Sequence, residues 1–246
     1  MEPENLTQPS KKEKTRWWLL VLIVALALIG VGVFIWLQTR TQPDQAAVNS
    51  EVVGTINPIT PVGTMAKGTG AGDPNAKVRI DAYEDFQCSA CYQFATQVEP
   101  LVMKNLVDTG KVYYQVHSFL IIDRATWDSP NKESHQAANA AMCAADQGRY
   151  WDYHNLLFAN WTGENVGDFT DARLLAYARL LKLDMTQFTT CFTHNTFRAE
   201  IDADMAQGLK LGVNGTPSIF VNGKQVSPGY IPTYEDILTA VNQANP

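Results

Sequence analysis

The apolar pattern of the chain begins with one long uninterrupted run. From Trp17 to Leu37 the sequence reads WWLLVLIVALALIGVGVFIWL, without a charged residue and with tryptophans at both ends. A helix of this length matches the hydrocarbon thickness of a bilayer, and tryptophans favour the two interfaces. The run therefore predicts an uncleaved transmembrane helix at 17–37. A cleaved signal sequence and a buried core helix are the alternatives.

After a polar stretch, the pattern becomes that of a folded domain. Residues 77–86 and 111–119 alternate apolar and polar positions, which predicts two β-strands. Residues 92–107 lie between them with apolar residues at helical spacing, and Pro100 predicts a break of this helix at Glu99. The order strand, helix, strand predicts a βαβ unit.

The second half of the chain is too long for a simple crossover between strands. Residues 125–211 contain several amphipathic patterns and predict a helical insert. After it, residues 219–221 and 224–226 predict a β-hairpin around Asn222-Gly223, and residues 233–242 predict a closing helix. The predicted helices of the insert cover residues 133–147, 149–160 and 172–182, a helix capped by Asp184, and residues 196–211.

These patterns divide the chain into four parts. Residues 1–16 form an N-terminal tail, 17–37 the membrane anchor, 38–73 a flexible linker, and 74–246 one folded domain. The linker is rich in Thr, Gln, Pro, Asn and Gly and shows no sustained period, which is typical of a tether.

Charge predicts the orientation of the anchor. Lys11, Lys12, Lys14 and Arg16 precede the apolar run, whereas Arg40 stands almost alone after it. By the positive-inside rule the tail lies in the cytoplasm and the folded domain lies outside the cell membrane, which the chain crosses once. The net charge of −6 argues against nucleic-acid binding.

Two cysteines stand between the first predicted strand and the helix. Cys88 of the sequence Cys88-Ser89-Ala90-Cys91 lies where unpaired backbone N–H groups and the helix dipole favour a thiolate. Cys91 follows one turn later, and we expect it to be more buried and to react second. A CxxC motif in a βαβ unit indicates thiol–disulfide chemistry. The alternatives are a passive disulfide, and a zinc site completed by Cys143 and Cys191.

Cys143 and Cys191 are an even pair on predicted helices of one insert. Because the domain is expected to lie in an oxidising compartment, the pair predicts a structural disulfide, with two buried free thiols as the alternative. The four histidines do not follow a metal-ligand spacing, so we expect packing or polar roles for them and no metal site. They are His117, His135, His154 and His194.

Two motifs together resemble the DsbA-like family of thioredoxin-fold thiol–disulfide oxidoreductases: CSACYQF after a strand, and GVNGTPSIFVNG late in the chain. The resemblance covers about residues 73–246 and implies an α/β thioredoxin fold with an inserted helical domain, here preceded by one transmembrane helix. It also implies a cis Pro217 facing the thiols, with the backbone of Thr216 free to pair with an extended substrate peptide. An ordinary turn proline is the alternative.

The chain departs from the family pattern at two places. DsbA-type members often carry Pro-His between the cysteines, whereas this chain has Ser89-Ala90, which puts a strongly oxidising potential in doubt. The family's buried acid would fall at Ala82. Glu84 lies two residues later, on the same face of the strand, and we hypothesise that it partly replaces that acid as the proton acceptor for Cys91. A solvated carboxylate at the end of the strand is the alternative.

Taken together, the sequence predicts a membrane-anchored extracytoplasmic enzyme that introduces or exchanges disulfides in exported cysteine-containing proteins through Cys88 and Cys91. No cofactor is expected on the chain. The resemblance implies reoxidation by a quinone-linked membrane protein of the DsbB or VKOR type. The alternatives are a reductase or isomerase supplied by a membrane electron donor, and a tethered binding module without turnover.

Overall fold

The computed structural model describes residues 25–26, 28–33, 56–57, 66–123, 128 and 132–244. The chain splits into two units, Met1–Val52 and Val53–Pro246. In the first unit, residues 25–26 and 28–33 are helical. The rest of the predicted anchor at 17–37, and the tail at 1–16, lie outside the described residues. Among the residues described, no helix is both long and apolar enough to cross a bilayer.

The second unit is built on a six-stranded sheet. Its strands are β1 (Ala66–Lys67), β2 (Gly70–Ala71), β3 (Val78–Glu84), β4 (Val112–Ser118), β5 (Ser218–Val221) and β6 (Lys224–Val226), in the spatial order β1-β2-β4-β3-β5-β6. β3 lies at the centre, parallel to β4 and antiparallel to β5. The predicted βαβ unit is therefore present, and the fold is α/β.

Eight helices are described in this unit. They are α1 (Ser89–Gln97), α2 (Glu99–Val102), α3 (Glu133–Ala145), α4 (Tyr150–Ala159), α5 (Asp171–Leu180), α6 (Met185–Thr193), α7 (Arg198–Lys210) and α8 (Tyr234–Ala244). The kink or break predicted at Glu99 occurs one residue earlier, at Val98, between α1 and α2. Pro100 has no N–H to donate to the preceding turn, so one continuous helix cannot form. A π-helical turn at Met103–Val107 follows.

The sheet extends into the predicted linker. The strands β1 and β2 lie within residues 38–73, so the linker ends earlier than the sequence predicts. Gly70 and Ala71 are buried against β4, and a Cβ on Gly70 would overlap the Tyr113 side chain. Strands of two residues are too short to produce a visible alternation, which explains why the pattern missed them. Asn57, which also lies within the predicted linker, contacts the end of α4: its N–H donates to Asn160 Oδ1 at 2.6 Å.

Local signals placed two elements correctly. Asn222 and Gly223 both have positive φ, 45° and 79°, and join β5 to β6 in a tight hairpin, as an Asn-Gly pair predicts. Asp184 caps α6, since its Oδ1 accepts from the N–H groups of Thr186 and Gln187 at 2.9 and 3.1 Å. Both features depend on residues that are neighbours in the chain.

The five helices α3 to α7 form the predicted insert between β4 and β5. A disulfide links Cys143 on α3 to Cys191 on α6, with a Cα–Cα distance of 5.8 Å and a sequence separation of 48. It joins the two helices across the core of the insert, where both cysteines are buried.

An imidazole holds α7 against the sheet. His117 at the end of β4 lies 2.9 Å from Asp81 Oδ1 through Nε2, and 2.9 Å from Asp204 Oδ1 of α7 through Nδ1. Its ring stacks on Tyr83 at 4.8 Å. Burial alone would lower the pKa of His117, but the hydrogen bonds to Asp204 and Asp81 raise it to about 9.

We predict that His117→Gln makes the protein less stable below about pH 6.5, where both folded and unfolded wild type are protonated at this site. Because the folded pKa is raised, the wild type loses this advantage as the pH rises towards about 9. Urea unfolding of both proteins across this range measures the effect. His194→Gln, at an exposed histidine, is the control. A stability difference that does not change with pH would contradict the assignment.

We predict that Cys143→Ala/Cys191→Ala lowers the free energy of unfolding by up to about 4 kcal/mol, because the disulfide closes a long loop in the unfolded chain. Denaturant unfolding measures this loss. In a Cys88→Ser/Cys91→Ser background, thiol titration of the denatured protein should find no free thiol before reduction and two afterwards. Two free thiols before reduction would rule out the disulfide.

Candidate active site

The candidate site begins where β3 ends. β3 stops at Glu84, and Cys88 is the N-cap residue of α1 with extended backbone angles (φ −70°, ψ 124°). The turn between them is built on the buried Asp85, whose carboxylate accepts from the N–H groups of Gln87 and Ile122 at 2.9 Å each. The Asp85 carbonyl accepts from Cys88 N–H at 3.0 Å. This turn holds the first cysteine at the sheet end.

The residue before Cys88 connects the site to the helical insert. Gln87 is fully buried. Its Nε2 donates to Ser134 Oγ at 3.0 Å, and its Oε1 accepts from Asn165 N–H at 2.7 Å. Its carbonyl accepts from Trp161 Nε1 at 2.9 Å. Sequence reasoning missed Gln87, because its partners lie 47 to 78 residues away and leave no local signal.

The two thiols are free in this structure and differ in environment. Cys88 retains 7% of its exposure, whereas Cys91 has none. A hydrogen bond with Cys91 is the largest cause that lowers the pKa of Cys88 to about 6, against the effect of desolvation. The Thr216 side chain and the N–H groups of Cys91 and Ala90 lower the pKa further. Burial, followed by the neighbouring Cys88, raises the pKa of Cys91. The pair thus has one acidic nucleophile and one protonated thiol.

The Thr216-Pro217 segment lies against the first thiol. The Cys88 Sγ donates to the Thr216 carbonyl at 3.3 Å, and the Thr216–Pro217 peptide bond is cis. β5 begins at the next residue and pairs Ser218 with Tyr83 of β3, which brings the segment to the same sheet end as the thiols. The structure therefore brings together Cys88, Cys91, Thr216 and Pro217, which the sequence singled out.

Glu84 is buried behind the thiols, with 4% of its surface exposed. Its Oε1 accepts from the Tyr114 hydroxyl at 3.4 Å, and its Oε2 lies 3.4 Å from His154 Nε2. Its charge contributes to the raised pKa of Cys91. Ala82, at the family's acid position, is buried in β3. A solvated carboxylate, the alternative for Glu84, does not match this burial.

Two further residues join Glu84 that the sequence did not single out for this site. His154 of α4 is fully buried, and its Nε2 also lies 3.8 Å from Glu99 Oε2 of α2. The three side chains come from three different elements, so no residue spacing in the sequence predicts that they meet. Their donor atoms all lie within 4.8 Å of one another, a spacing that would also suit a metal ion. Because His154 contacts both carboxylates directly, we interpret the cluster as an acid–base group.

Comparison with known proteins bears on the family and the fold. A family model described as "Thioredoxin" matches residues 64–243. The chain belongs to the thioredoxin family. Within it, the chain resembles the DsbA-like thiol–disulfide oxidoreductases. The thioredoxin-family match begins at residue 64, close to β1, and not at the predicted boundary of residue 74.

Individual relatives of this thioredoxin-family chain differ in length and name. "Probable disulfide bond formation protein D" of Bacillus cereus is 26% identical over 161 residues, covering 65% of this chain and 72% of the relative. The "Na(+)/H(+) antiporter NhaA 1" of Salinispora arenicola is 28% identical over 230 residues, which cover 90% of this chain. The chain spans only 32% of that relative, so the name describes a much longer protein.

A solved structure supports the thioredoxin fold. Oxidised BdbD from Bacillus subtilis superposes with a TM-score of 0.62 at 21% identity, covering 76% of this chain and 98% of BdbD. At this identity the likeness concerns the fold alone.

A docked loop, residues 161–169, places a negative charge beside the thiols. Trp161 stacks on Tyr92 at 4.7 Å, and the Glu133 carboxylate accepts from the N–H groups of Gly167 and Phe169 at 3.0 and 2.9 Å. The exposed Glu164 then accepts from Ser89 N–H at 3.4 Å. Ser89 is the first residue of α1, so this carboxylate lies at the helix end that favours the Cys88 thiolate.

We predict that Glu164→Gln lowers the pKa of Cys88, because a negative charge that opposes the thiolate is removed. The effect should be below about one pH unit, as for other exposed charges at helix ends. The pH dependence of alkylation of the reduced protein measures it. Glu235→Gln, at an exposed acid on α8, should leave the midpoint unchanged. An unchanged or raised midpoint in Glu164→Gln would show that this carboxylate does not act on the thiol.

Proposed function

We propose that the protein is an extracytoplasmic thiol–disulfide oxidoreductase that forms or exchanges disulfides in exported cysteine-containing proteins. The observation that carries the proposal is the asymmetric thiol pair. Cys88, with a pKa lowered to about 6, meets the Thr216-Pro217 segment, while the protonated Cys91 is buried behind it. Cys88 keeps 7% of its exposure and Cys91 none. An acidic thiol at the edge of the surface, next to a buried resolving thiol, is an arrangement suited to thiol–disulfide exchange.

In the oxidising direction, a substrate thiolate attacks Cys88 Sγ in the Cys88–Cys91 disulfide. The bond between the two enzyme sulfurs breaks, and its electron pair leaves on the sulfur of Cys91. A second substrate thiolate then attacks the substrate sulfur of the mixed disulfide, and Cys88 leaves as a thiolate. The substrate gains one disulfide, and its two electrons remain on the enzyme as two reduced cysteines. The low pKa of Cys88 makes it a good leaving group in this second step.

We also propose that Thr216 and Pro217 bind the substrate next to the reacting sulfur. Thr216 is close enough to contact Cys88 through its carbonyl oxygen, and Pro217 has no N–H that would compete for a partner. An extended peptide that pairs with the backbone of Thr216 would hold its cysteine near Cys88 Sγ.

We propose that Glu84 exchanges the proton of Cys91. When the enzyme disulfide opens, the buried Cys91 thiolate needs a proton, and it must lose that proton when the disulfide forms again. Glu84 adjoins Asp85, whose N–H lies 3.5 Å from Cys91 Sγ, and its charge acts on Cys91. A buried carboxylate whose charge acts on the thiol is suited to both transfers.

We propose that residues 17–37 anchor the protein in the cell membrane, with the N-terminus in the cytoplasm and the catalytic domain outside. The basic residues before the apolar run support this orientation. The Cys143–Cys191 disulfide supports an oxidising compartment. A quinone-linked membrane protein of the DsbB or VKOR type would then reoxidise Cys88 and Cys91, and no cofactor is needed on the chain.

The pKa of about 6 for the Cys88 thiol bears on the direction of electron flow. It lies between about 7 for thioredoxin, a reductant, and about 3.5 for DsbA, an oxidant. A lower pKa stabilises the reduced form and makes the disulfide more oxidising. The lowered pKa of Cys88 therefore favours a more oxidising disulfide than an ordinary thiol would give, and a milder one than that of DsbA.

The test is the Cys88–Cys91 equilibrium in glutathione buffers, together with oxidation of a reduced two-cysteine peptide. We predict a potential between about −270 mV for thioredoxin and about −120 mV for DsbA. Peptide oxidation should fall to background in Cys88→Ser and stay normal in His194→Gln. A potential at or below that of thioredoxin, with rapid insulin reduction, would favour the reductase. Absence of exchange in the wild type would favour the binding module.

A further inference from the structure

The cluster formed by Glu84, His154 and Glu99 continues away from the thiols. His154 Nε2 lies 3.4 Å from Glu84 Oε2 and 3.8 Å from Glu99 Oε2. All three side chains are buried. The second oxygen of Glu99, Oε1, is buried without a hydrogen-bond partner among the residues that the structure describes. Tyr114 hydrogen-bonds the Glu99 carboxyl group. A buried carboxylate with one oxygen unpaired is nevertheless costly, which favours its protonated form.

A cleft reaches this cluster from another side of the domain. It has a volume of about 330 Å³, and Glu99 and Asn155 line it together with the ionisable Lys104 and Asp108. Asn155 Oδ1 lies 3.0 Å from His154 Nδ1. Ala95 and Thr96 also line the cleft, so it opens towards the C-terminal end of α1, roughly 9 Å along the helix axis from Cys91.

The reaction needs such a second opening. Cys91 is fully buried, and Cys88 is almost so even without a substrate. In the mixed disulfide the substrate covers the Cys88 side, which leaves Cys91 without water on that side. For a thiol enclosed in this way, neighbouring protein groups offer a route for its proton.

The charges within the cluster suit a proton carrier. Burial raises the pKa of Glu99, while Glu99 and Glu84 raise the pKa of His154 against the effect of its burial. In the part of the chain that the structure describes, the tyrosines Tyr114 of β4 and Tyr150 of α4 also face the cluster. Burial raises the pKa of both, so both hydroxyls stay protonated.

We propose that His154 and Glu99 extend Glu84 into a proton relay between Cys91 and the cleft at the far end of α1. The inference rests on the proposed function and adds two residues and an exit to it. When the enzyme disulfide re-forms, the Cys91 proton moves to Glu84. His154 passes a proton from Nε2 to Glu99 and regains one from Glu84, and Glu99 releases its proton into the cleft. When the disulfide opens, the same steps run in reverse.

The experiment measures the rate at which Cys91 attacks a mixed disulfide between Cys88 and glutathione. Glutathione disulfide converts reduced Cys88 into a mixed disulfide, releasing one glutathione. Cys91, as a thiolate, then attacks Cys88 Sγ and releases the second glutathione. Rapid quenching and mass spectrometry of the full-length protein give the rate of this second step across pH, in H₂O and in D₂O.

We predict that Glu99→Gln slows this step about tenfold near pH 7 and introduces a solvent isotope effect, because proton exit becomes limiting. The alkylation midpoint of Cys88 should not move. Asp108→Asn removes an exposed acid from the same cleft and should leave the rate unchanged. A merely structural role of Glu99 would change stability without an isotope effect.

Different outcomes would overturn the relay and the proposed thiol–disulfide exchange. A wild-type rate and pH profile in Glu99→Gln overturns the relay, even if Glu84→Gln is slow and Cys88 still oxidises peptides. If the wild-type protein shows no thiol–disulfide exchange at Cys88, the proposed function itself is overturned. Should Glu99→Gln not fold, infrared difference spectra of oxidised and reduced wild type decide. The relay predicts a protonated-carboxyl band that changes with redox state, and its absence contradicts the relay.

Discussion

The unequal burial of two sulfurs one helical turn apart is the constraint on which the site depends. Cys88 sits at the N-cap of α1, where its thiolate meets backbone N–H groups, while Cys91 points into the core. The same turn of helix therefore stabilises the charge of one sulfur and penalises the charge of the other. This asymmetry decides which sulfur is attacked and which one leaves. It also gives Cys91 a proton that solvent cannot reach directly.

The helical insert supports the nucleophile as well as enclosing it. Gln87 bonds to Ser134 at the start of α3 and to Asn165 in the docked loop, so the insert holds the backbone immediately before Cys88. The same loop brings Glu164 to the first N–H of α1. An insert that positions the thiol and also places a charge beside it can tune reactivity without altering the four residues of the motif. The Cys143–Cys191 disulfide stiffens this insert away from the thiols.

The sequence predicted those features that depend on residues close together in the chain. The alternation in β3 and β4, the Asn222-Gly223 hairpin and the Asp184 cap each depend on a few consecutive side chains, and the structure contains all of them. Cys88, Cys91 and Pro217 were recognisable because two motifs carry them. Gln87 and the pairing of Glu84 with His154 were not, since those contacts join residues 47 to 78 apart in the chain. The strands β1 and β2 are too short to show a period.

Glu84 illustrates that a buried carboxylate depends on neighbouring side chains that compensate its charge. The family's acid position holds Ala82 here, and the carboxylate lies two residues further along β3, roughly 7 Å away. A lone carboxylate at the new position would be desolvated without compensation. His154 from α4 and the hydroxyl of Tyr114 from β4 supply that compensation. The same imidazole also lies beside a second buried carboxylate, that of Glu99, which lines a cleft. Burial of the Glu84 carboxylate in β3 thus depends on side chains from α4 and β4, and through His154 it is joined to Glu99 of α2.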